Sequence, residues 1–207
     1  MCCERALLQY GHSGDLGNRR QNFSFYEVLR QYGLNSCMNS AHEEKQIRAA
    51  TREWAEQFAD HYQYAVTLTL KPYRNFYDHR GVACLQQLTP AIAWHTFASF
   101  QHRLNCEVFG HAARRYRKTL AFVPVLEGQQ VGKLLHFHCA IGDVPVRVDA
   151  ADFGRRVASA WHDTNFGNTQ IDVRPYRAGW IGYITKELSS DGAEFGWEHV
   201  SLGTAPC

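Results

Sequence analysis

Several features that would narrow the function at once are missing from this sequence. No apolar run approaches the ~18 residues of a membrane-spanning helix, and the first residues carry no secretory signal pattern. The seven cysteines are an odd number without any CxxC spacing, which argues against a disulfide framework or a zinc ribbon and for reduced thiols. We therefore expect a cytoplasmic protein with no membrane span.

A large charge of either sign is missing too. The formal net charge is +2 over 207 residues, whereas proteins that coat duplex nucleic acid are usually much more basic. A hydrophobic content of 45% and an aromatic content of 13% fit a globular domain and exclude a disordered chain. Binding to nucleic acid stays compatible with this balance, because a few clustered cations can provide the phosphate contacts.

The most informative feature is a pair of histidines inside an apolar run. Residues 134–141 read LLHFHCAI and have glycines close to both ends, a pattern typical of a buried strand. Because side chains alternate along a strand, His136 and His138 share one face and Phe137 points to the other. Two imidazoles on one face form half of a divalent-metal site. The alternative to a metal site is that both histidines are core residues hydrogen-bonded to neighbouring groups.

A second feature follows the histidines in the chain. Residues 179–188 contain Tyr183 and Lys186, which lie one turn apart on a common face if the segment is helical. A nearby cation helps a phenol to form the nucleophilic phenolate. Gly179 and Gly182 weaken such a helix, and they are equally compatible with close approach of a DNA backbone and with tight packing against a sheet.

Taken in order, three segments resemble the motifs of the HUH endonuclease superfamily, in particular single-tyrosine Rep proteins of rolling-circle replication. Residues 65–72 (AVTLTLKP) resemble its first motif, a strand of alternating threonine and apolar residues. His136 and His138 match the His-hydrophobic-His strand, and Tyr183 with Lys186 matches the Tyr-x-x-Lys helix. The ordered triplet is specific, although its first member alone is not.

The resemblance implies a metal-dependent enzyme that nicks and rejoins single-stranded DNA at a specific site. Tyr183 would attack a phosphate and form a 5′-phosphotyrosine, Lys186 would assist, and the cofactor would be Mn²⁺ or Mg²⁺. The expected substrate is single-stranded or hairpin origin DNA of a plasmid or phage in a bacterial cytoplasm, with a host helicase or polymerase as a further partner. A transposase or relaxase shares this chemistry, although relaxases usually carry the tyrosine before the histidine strand.

Two imidazoles leave a divalent ion short of ligands. Glu127 ends the preceding strand, and an antiparallel hairpin brings it opposite the start of the histidine strand. In many Rep proteins the third ligand is an acidic residue at this place, which favours Glu127. His162, Asp163 and Gln170 are the rival candidates.

Basic residues near aromatic ones are candidates for contacts with phosphates and bases. Cations also gather at helix ends for electrostatic reasons alone, so a purely structural role is the alternative. The candidates are Arg114, Arg115, Arg117, Lys118, Arg174 and Arg177. Tyr176 has no lysine three positions later and is a poor candidate for the nucleophile.

The order of periodic segments predicts an α+β fold with an antiparallel sheet and flanking helices. We expect helices over 40–61, 89–110 and 149–163 and around Tyr183, strands over 64–70, 119–127, 133–141 and 169–175, and an irregular connection over 73–87. The resemblance implies a ferredoxin-like or RRM-like core. The predicted organisation is an irregular arm (1–39), the HUH domain (40–188) and a C-terminal tail (189–207). A non-catalytic RRM-like nucleic-acid-binding domain is the alternative from another functional class.

Overall fold

The computed structural model describes residues 41–130, 132–188 and 192–204. The predicted N-terminal arm lies outside them. In chain order the elements are α1 (Ala41–Glu56), a 3-10 turn (Ala59–His61), β1 (Tyr62–Leu70), β2 (Tyr73–Tyr77), β3 (Ala83–Gln87), α2 (Pro90–Phe109), α3 (His111–Arg115), β4 (Ala121–Glu127), β5 (His136–Gly142), α4 (Ala150–His162), β6 (Gly167–Pro175), α5 (Trp180–Ile184), β7 (Ala193–Phe195), a 3-10 turn (Trp197–His199) and β8 (Ser201–Leu202). No helix in these ranges has both the length and the apolar character to cross a bilayer.

The main sheet is antiparallel throughout, as predicted. Its order is β6-β1-β5-β4-β7, and β8 also pairs with β4. Strands β4 and β5 form a hairpin, while α2 and its connections lead from β1 to β4 and α4 leads from β5 to β6. The two central strands, β1 and β5, are therefore separated in the sequence but adjacent in space.

One face of the sheet is covered by α2 and α4. Phe137 points into this layer, and its ring lies 4.7 Å from that of Phe97 and 6.2 Å from that of Trp161. All three side chains are fully buried. Helix α2 starts where the sequence predicts. The Thr89 hydroxyl accepts a hydrogen bond from the Ile92 amide, and Pro90 suits the first helical position because it has no backbone N–H that would lack a partner there.

The opposite face is covered only in part, by α1, α5 and the segment that carries β7. Trp54 of α1 is 2% exposed, and its ring packs at 5.1 Å from Trp197 and 6.2 Å from Phe195. These rings lie against Val123 and Val125 of β4 in a second, smaller core. Part of the predicted C-terminal tail therefore belongs to the folded sheet.

The prediction of an irregular connection over 73–87 is wrong. Strands β2 and β3 pair in register from Tyr73 opposite Gln87 to Tyr77 opposite Ala83, and they form a two-stranded sheet of their own. Asp78 shapes the turn, since its carboxylate accepts the backbone N–H groups of Arg80 and Val82. The alternation of polar and apolar residues was too weak here to indicate strands.

Among the other boundaries, the largest differences from the prediction concern α1 and β5. Helix α1 ends at Glu56, before the predicted His61, and β5 begins at His136 instead of Lys133. The residues before β5 turn back over the end of β4, where a Cβ atom on Gly128 would collide with the carbonyl of Leu134. This turn places the histidine pair at the very start of the strand, at one end of the sheet.

Candidate metal and tyrosine site

The register of β4 and β5 assembles a cluster of three possible metal ligands. Glu127 pairs with His136, and Val125 pairs with His138. Side chains at directly paired positions share a face, so the carboxylate of Glu127 and both imidazoles point away from α2 and α4. Within the described residues this is the group of histidine, cysteine and acidic side chains that could hold a metal ion.

The distances within this cluster suit a small cation. Oε2 of Glu127 lies 3.7 Å from Nε2 of His136 and 3.6 Å from Nε2 of His138. The possible donor atoms of the three residues lie within 4.8 Å of one another. Two ligand atoms bound to one ion at about 2.0–2.2 Å lie at most about 4.4 Å apart, so the two separations from Oε2 of Glu127 fit a common ion.

Both imidazoles are held through their second nitrogen. Nδ1 of His136 lies 2.9 Å from the carbonyl oxygen of Leu134. A carbonyl only accepts, so Nδ1 carries the proton and the neutral ring presents the lone pair of Nε2 to the cluster. Nδ1 of His138 lies 2.9 Å from the hydroxyl of Thr67 on β1. Such outer contacts fix the orientation of metal-binding histidines.

The electrostatics of the cluster favour the metal-binding forms of His138 and Glu127, whereas at His136 a metal ion would have to displace a proton. Burial lowers the pKa of His138 to about 4 and keeps this imidazole neutral near pH 7. Burial raises the pKa of Glu127, but pairing with His136 and the nearby cationic groups outweigh it and leave that pKa below its ordinary value. The same pairing raises the pKa of His136.

One atom of the cluster has no protein partner. Glu127 is 4% exposed, and its Oε1 is buried without a hydrogen bond among the described residues. An ionised carboxylate oxygen in such a position is costly unless a donor or a cation compensates it. The donor set, two imidazole nitrogens and a carboxylate, therefore fits a divalent cation, and its identity is not fixed by these three residues alone.

Helix α5 brings Tyr183 to the same face of the sheet. The indole N–H of Trp180 donates to the carbonyl of Cys139 on β5 at 3.3 Å and fixes the helix over that strand. The Tyr183 ring stacks on Trp180 with centroids 5.2 Å apart, and it lies 5.4 Å from the His138 ring. Tyr183 is 46% exposed, so its phenol is next to the cluster and open to a ligand from solvent.

Lys186 links the tyrosine to the cluster. Its ammonium group lies 3.7 Å from the centre of the Tyr183 ring and 4.0 Å from Oε2 of Glu127. The lysine is not in the helix, which ends at Ile184, but in the turn that follows, where its amide donates to the carbonyl of Tyr183. The expected proximity of phenol and ammonium is thus found, with a turn in place of a regular helix.

Helix α1 supports this turn from beneath. The Arg48 guanidinium donates to the carbonyl of Lys186 at 2.8 Å. A Cβ atom on Gly182 would lie 2.9 Å from Cζ of Arg52, and Gly179 has a φ of 92° at the start of α5. Backbone conformation therefore accounts for Gly179, whereas a side chain at Gly182 would displace only the end of the flexible, half-exposed Arg52 side chain. Neither arginine has a local sequence signal that predicts this contact.

Two of the rival ligands, His162 and Asp163, lie away from the cluster. His162 and Asp163 end α4 on the other side of the sheet, and Asp163 pairs there with Arg103. Gln170 lies on the exposed outer strand β6, and its carbonyl accepts the hydroxyl of Thr69. Tyr176 packs its ring 5.5 Å from that of Tyr62, away from the histidines.

The proposed DNA contacts separate into two groups. Arg114, Arg115, Arg117 and Lys118 precede β4, at the opposite end of that strand from Glu127 and ~20 Å away along it. Arg174 pairs with Ala65 on the face of the sheet that carries the histidines, and its guanidinium contacts Asp172 at 2.8 Å. Arg177 is exposed in the loop before α5.

No protein-family model, curated protein or solved structure matches this chain. The chemistry of the site therefore carries the functional interpretation.

Proposed function

We propose that the protein is a metal-dependent endonuclease and strand transferase of the HUH type, with one catalytic tyrosine, that nicks single-stranded DNA at a specific sequence. One observation carries the proposal: the ring of Tyr183 lies 5.4 Å from that of His138, on the same face as Glu127 and His136. The proposed nucleophile, the ammonium group of Lys186 and the possible metal ligands are thereby neighbours, and the ring of Tyr183 is the part open to solvent.

The connectivity supports the same family. Without α1, α3, α5, the β2–β3 hairpin and the C-terminal strands, the order of elements is βαββαβ and the strand order is β6-β1-β5-β4. The resemblance implies a ferredoxin-like core for a Rep nuclease, and this order is compatible with one. Because a fold hosts many functions, it supports the family and the side chains support the activity.

In the proposed reaction the phenolic oxygen of Tyr183 attacks the scissile phosphorus in line. The bond from phosphorus to the tyrosine oxygen forms, the bond to the 3′ oxygen breaks, and the products are a 5′-phosphotyrosine and a free 3′-hydroxyl. The phenolic proton leaves to solvent, and a proton from solvent completes the hydroxyl. Attack by a 3′-hydroxyl on the phosphotyrosine reverses the step and joins the strands without a nucleotide cofactor.

Each side chain has a part in this reaction. The ammonium group of Lys186 lies 3.7 Å from the centre of the Tyr183 ring, where it would position the phosphate that the phenol attacks, and Trp180 holds the ring by stacking. Glu127, His136 and His138 would hold Mn²⁺ or Mg²⁺. When bound, the ion supplies charge neutralisation at the non-bridging oxygens of the phosphate.

The position of Tyr183 after the histidine strand favours a Rep over a relaxase. The substrate would then be the replication origin of a plasmid or phage in a bacterial cytoplasm, with a host helicase or polymerase as the next partner. A transposase remains the alternative with the same chemistry. A non-catalytic RRM-like domain is less favoured, because binding alone requires neither the phenol nor the three ligand side chains.

The test is a search for the covalent intermediate. The protein is incubated with a library of single-stranded hairpin DNA and Mn²⁺, and mass spectrometry locates any nucleotide adduct. We expect an adduct on Tyr183 in the wild type and in Tyr176→Phe, the matched control, and none in Tyr183→Phe or in chelator. An adduct on another residue, or equal cleavage by Tyr183→Phe, would overturn the assignment.

A further inference from the structure

The β2–β3 hairpin is an arm that starts beside the candidate site. Strand β1 ends at Leu70, directly after Thr69, which pairs with His136. Two hydrogen bonds close the base of the arm, from the Lys71 amide to the carbonyl of Phe166 and from the Leu88 amide to the carbonyl of Pro72. The arm therefore leaves the sheet at the end that carries the metal ligands.

The inner side of the arm is anchored to the domain. The Arg74 guanidinium lies 5.3 Å from the ring of Phe166, which is buried, and 5.7 Å from the ring of Phe76. Its Nε donates to the side chain of Gln86 on the paired strand at 2.9 Å. These contacts hold the hairpin in one orientation, because a two-stranded sheet is marginal by itself.

The outer side is apolar and has no cover among the described residues. Tyr73 is 60% exposed, Tyr77 76% and Leu85 67%. They alternate along the strands with the anchored residues, and the pairing puts them on one face together with Asn75 and Gln87. No other ring of the described residues stacks on either tyrosine. An exposed aromatic face on a rigid support is typical of an interaction site.

The charge of the arm indicates which partner fits. Residues 71–87 contain Lys71, Arg74 and Arg80 against one carboxylate, Asp78, so the arm alone has the formal charge of +2 that the whole chain has. The carboxylate is occupied by backbone N–H groups of the turn. A cationic segment with two exposed rings and two side-chain amides suits single-stranded nucleic acid. The phosphates of such a strand can contact the cations, and its unstacked bases can stack on the rings.

We propose that the outer face of the β2–β3 hairpin binds single-stranded DNA, with Tyr73 and Tyr77 stacking on bases and Arg80 contacting a phosphate. The choice of DNA as ligand rests on the proposed function. The arm would hold the strand that leads into the site, at the end of the sheet where Tyr183 acts. Stacking on a ring tolerates any base, so the arm adds affinity and the target sequence is read elsewhere.

The experiment measures equilibrium binding of a fluorescein-labelled, mixed-sequence single strand of about 30 nucleotides by anisotropy. The full chain is used in chelator, so that no cleavage occurs. The variant is Tyr73→Ala with Tyr77→Ala, and we expect its dissociation constant to rise at least ~25-fold, about fivefold for each ring. Tyr73→Phe with Tyr77→Phe keeps the rings and should bind like wild type.

Two further variants check location and charge. Val146→Ala shortens a fully exposed apolar side chain in the loop after β5, at the opposite end of that strand from His136, and it should bind like wild type. Arg80→Gln should reduce the slope of log affinity against log salt by about 0.7, the value for one phosphate contact of a single strand. An equal loss with Val146→Ala would mean that the loss is not specific to the arm and would overturn the proposal.

The remaining outcomes separate this inference from the proposed function. Wild-type affinity in the double alanine variant, or no binding of the single strand by wild type, overturns the inference even if an adduct forms on Tyr183. A loss of self-association in light scattering, or a lower melting temperature with unchanged DNA affinity, means that the rings pack on protein and also overturns it. If the alanine variant binds DNA more weakly and the wild type forms no adduct, DNA binding by the arm is supported and the proposed nuclease activity is refuted.

Discussion

Neighbouring residues of β5 serve two faces of one sheet with opposite properties. Phe137 is fully buried among the rings of α2 and α4, whereas His136 and His138 on either side of it point to the partly covered face with Glu127. The first face stabilises the fold by excluding water. The second holds polar groups that lack some of their hydrogen bonds, including a buried carboxylate oxygen of Glu127 with no partner in the part of the chain that the structure describes. Stability and chemistry are thus divided between alternate residues of a single strand.

The comparison of the two faces predicts that a substitution on the polar face has the largest effect, and that this effect is on metal binding. Because His138→Ala removes one of three donors and the ring that Thr67 orients, we expect Mn²⁺ binding to fall below detection in calorimetry, together with DNA cleavage. Unfolding of the metal-free protein should change far less, since no large apolar group is lost. His95→Ala, an exposed histidine on α2, is the control. Undiminished Mn²⁺ affinity in His138→Ala would exclude this residue as a ligand.

The apolar face should give the reverse pattern. Phe137→Ala leaves a cavity among aromatic rings, and we expect the free energy of unfolding to fall by about 3–5 kcal/mol. Urea denaturation followed by circular dichroism measures this change. Mn²⁺ affinity of the fraction that stays folded should remain near the wild-type value. If Phe137→Ala lost the metal while keeping its stability, the division between the two faces would be wrong.

A smaller effect is expected from the contact that orients His138. Thr67→Val keeps the shape of the side chain and removes the hydroxyl that lies 2.9 Å from Nδ1, so metal affinity should fall about 10- to 100-fold. Thr69→Val is the matched control, because that hydroxyl donates to the Gln170 carbonyl and not to a histidine. Equal losses in the two variants would indicate a general effect on β1 instead of an effect on His138.

Patterns of short period were sufficient for much of the fold. Alternation along 134–141 placed the two histidines opposite Phe137, and the Thr89-Pro90 signal located the start of α2. The antiparallel sheet with flanking helices was predicted correctly for the same reason: local periodicity reflects which side of an element is buried. The role of each site residue in catalysis stays a prediction.

Contacts between distant segments were not predictable in this way. No local pattern of the sequence predicts that the Thr67 hydroxyl contacts His138 or that Arg48 supports the turn at Lys186. The pairing of β2 with β3 over residues 73–87 was not predicted either. The sequence predicts the cluster around Arg114 as a candidate DNA contact without a position, and the structure places it at the far end of β4. Composition describes which charges are present and gives no information on the end of the sheet to which they belong.

The sequence by itself determined the kinds of side chain available and the face of the strand on which each histidine lies, because the alternation of a strand is a property of the local backbone. Only the tertiary structure decided that Glu127, His138 and Tyr183 meet, because that meeting depends on strand register and on the packing of α5 over β5. Register and packing are set by the burial of many side chains at once, and no short segment contains them.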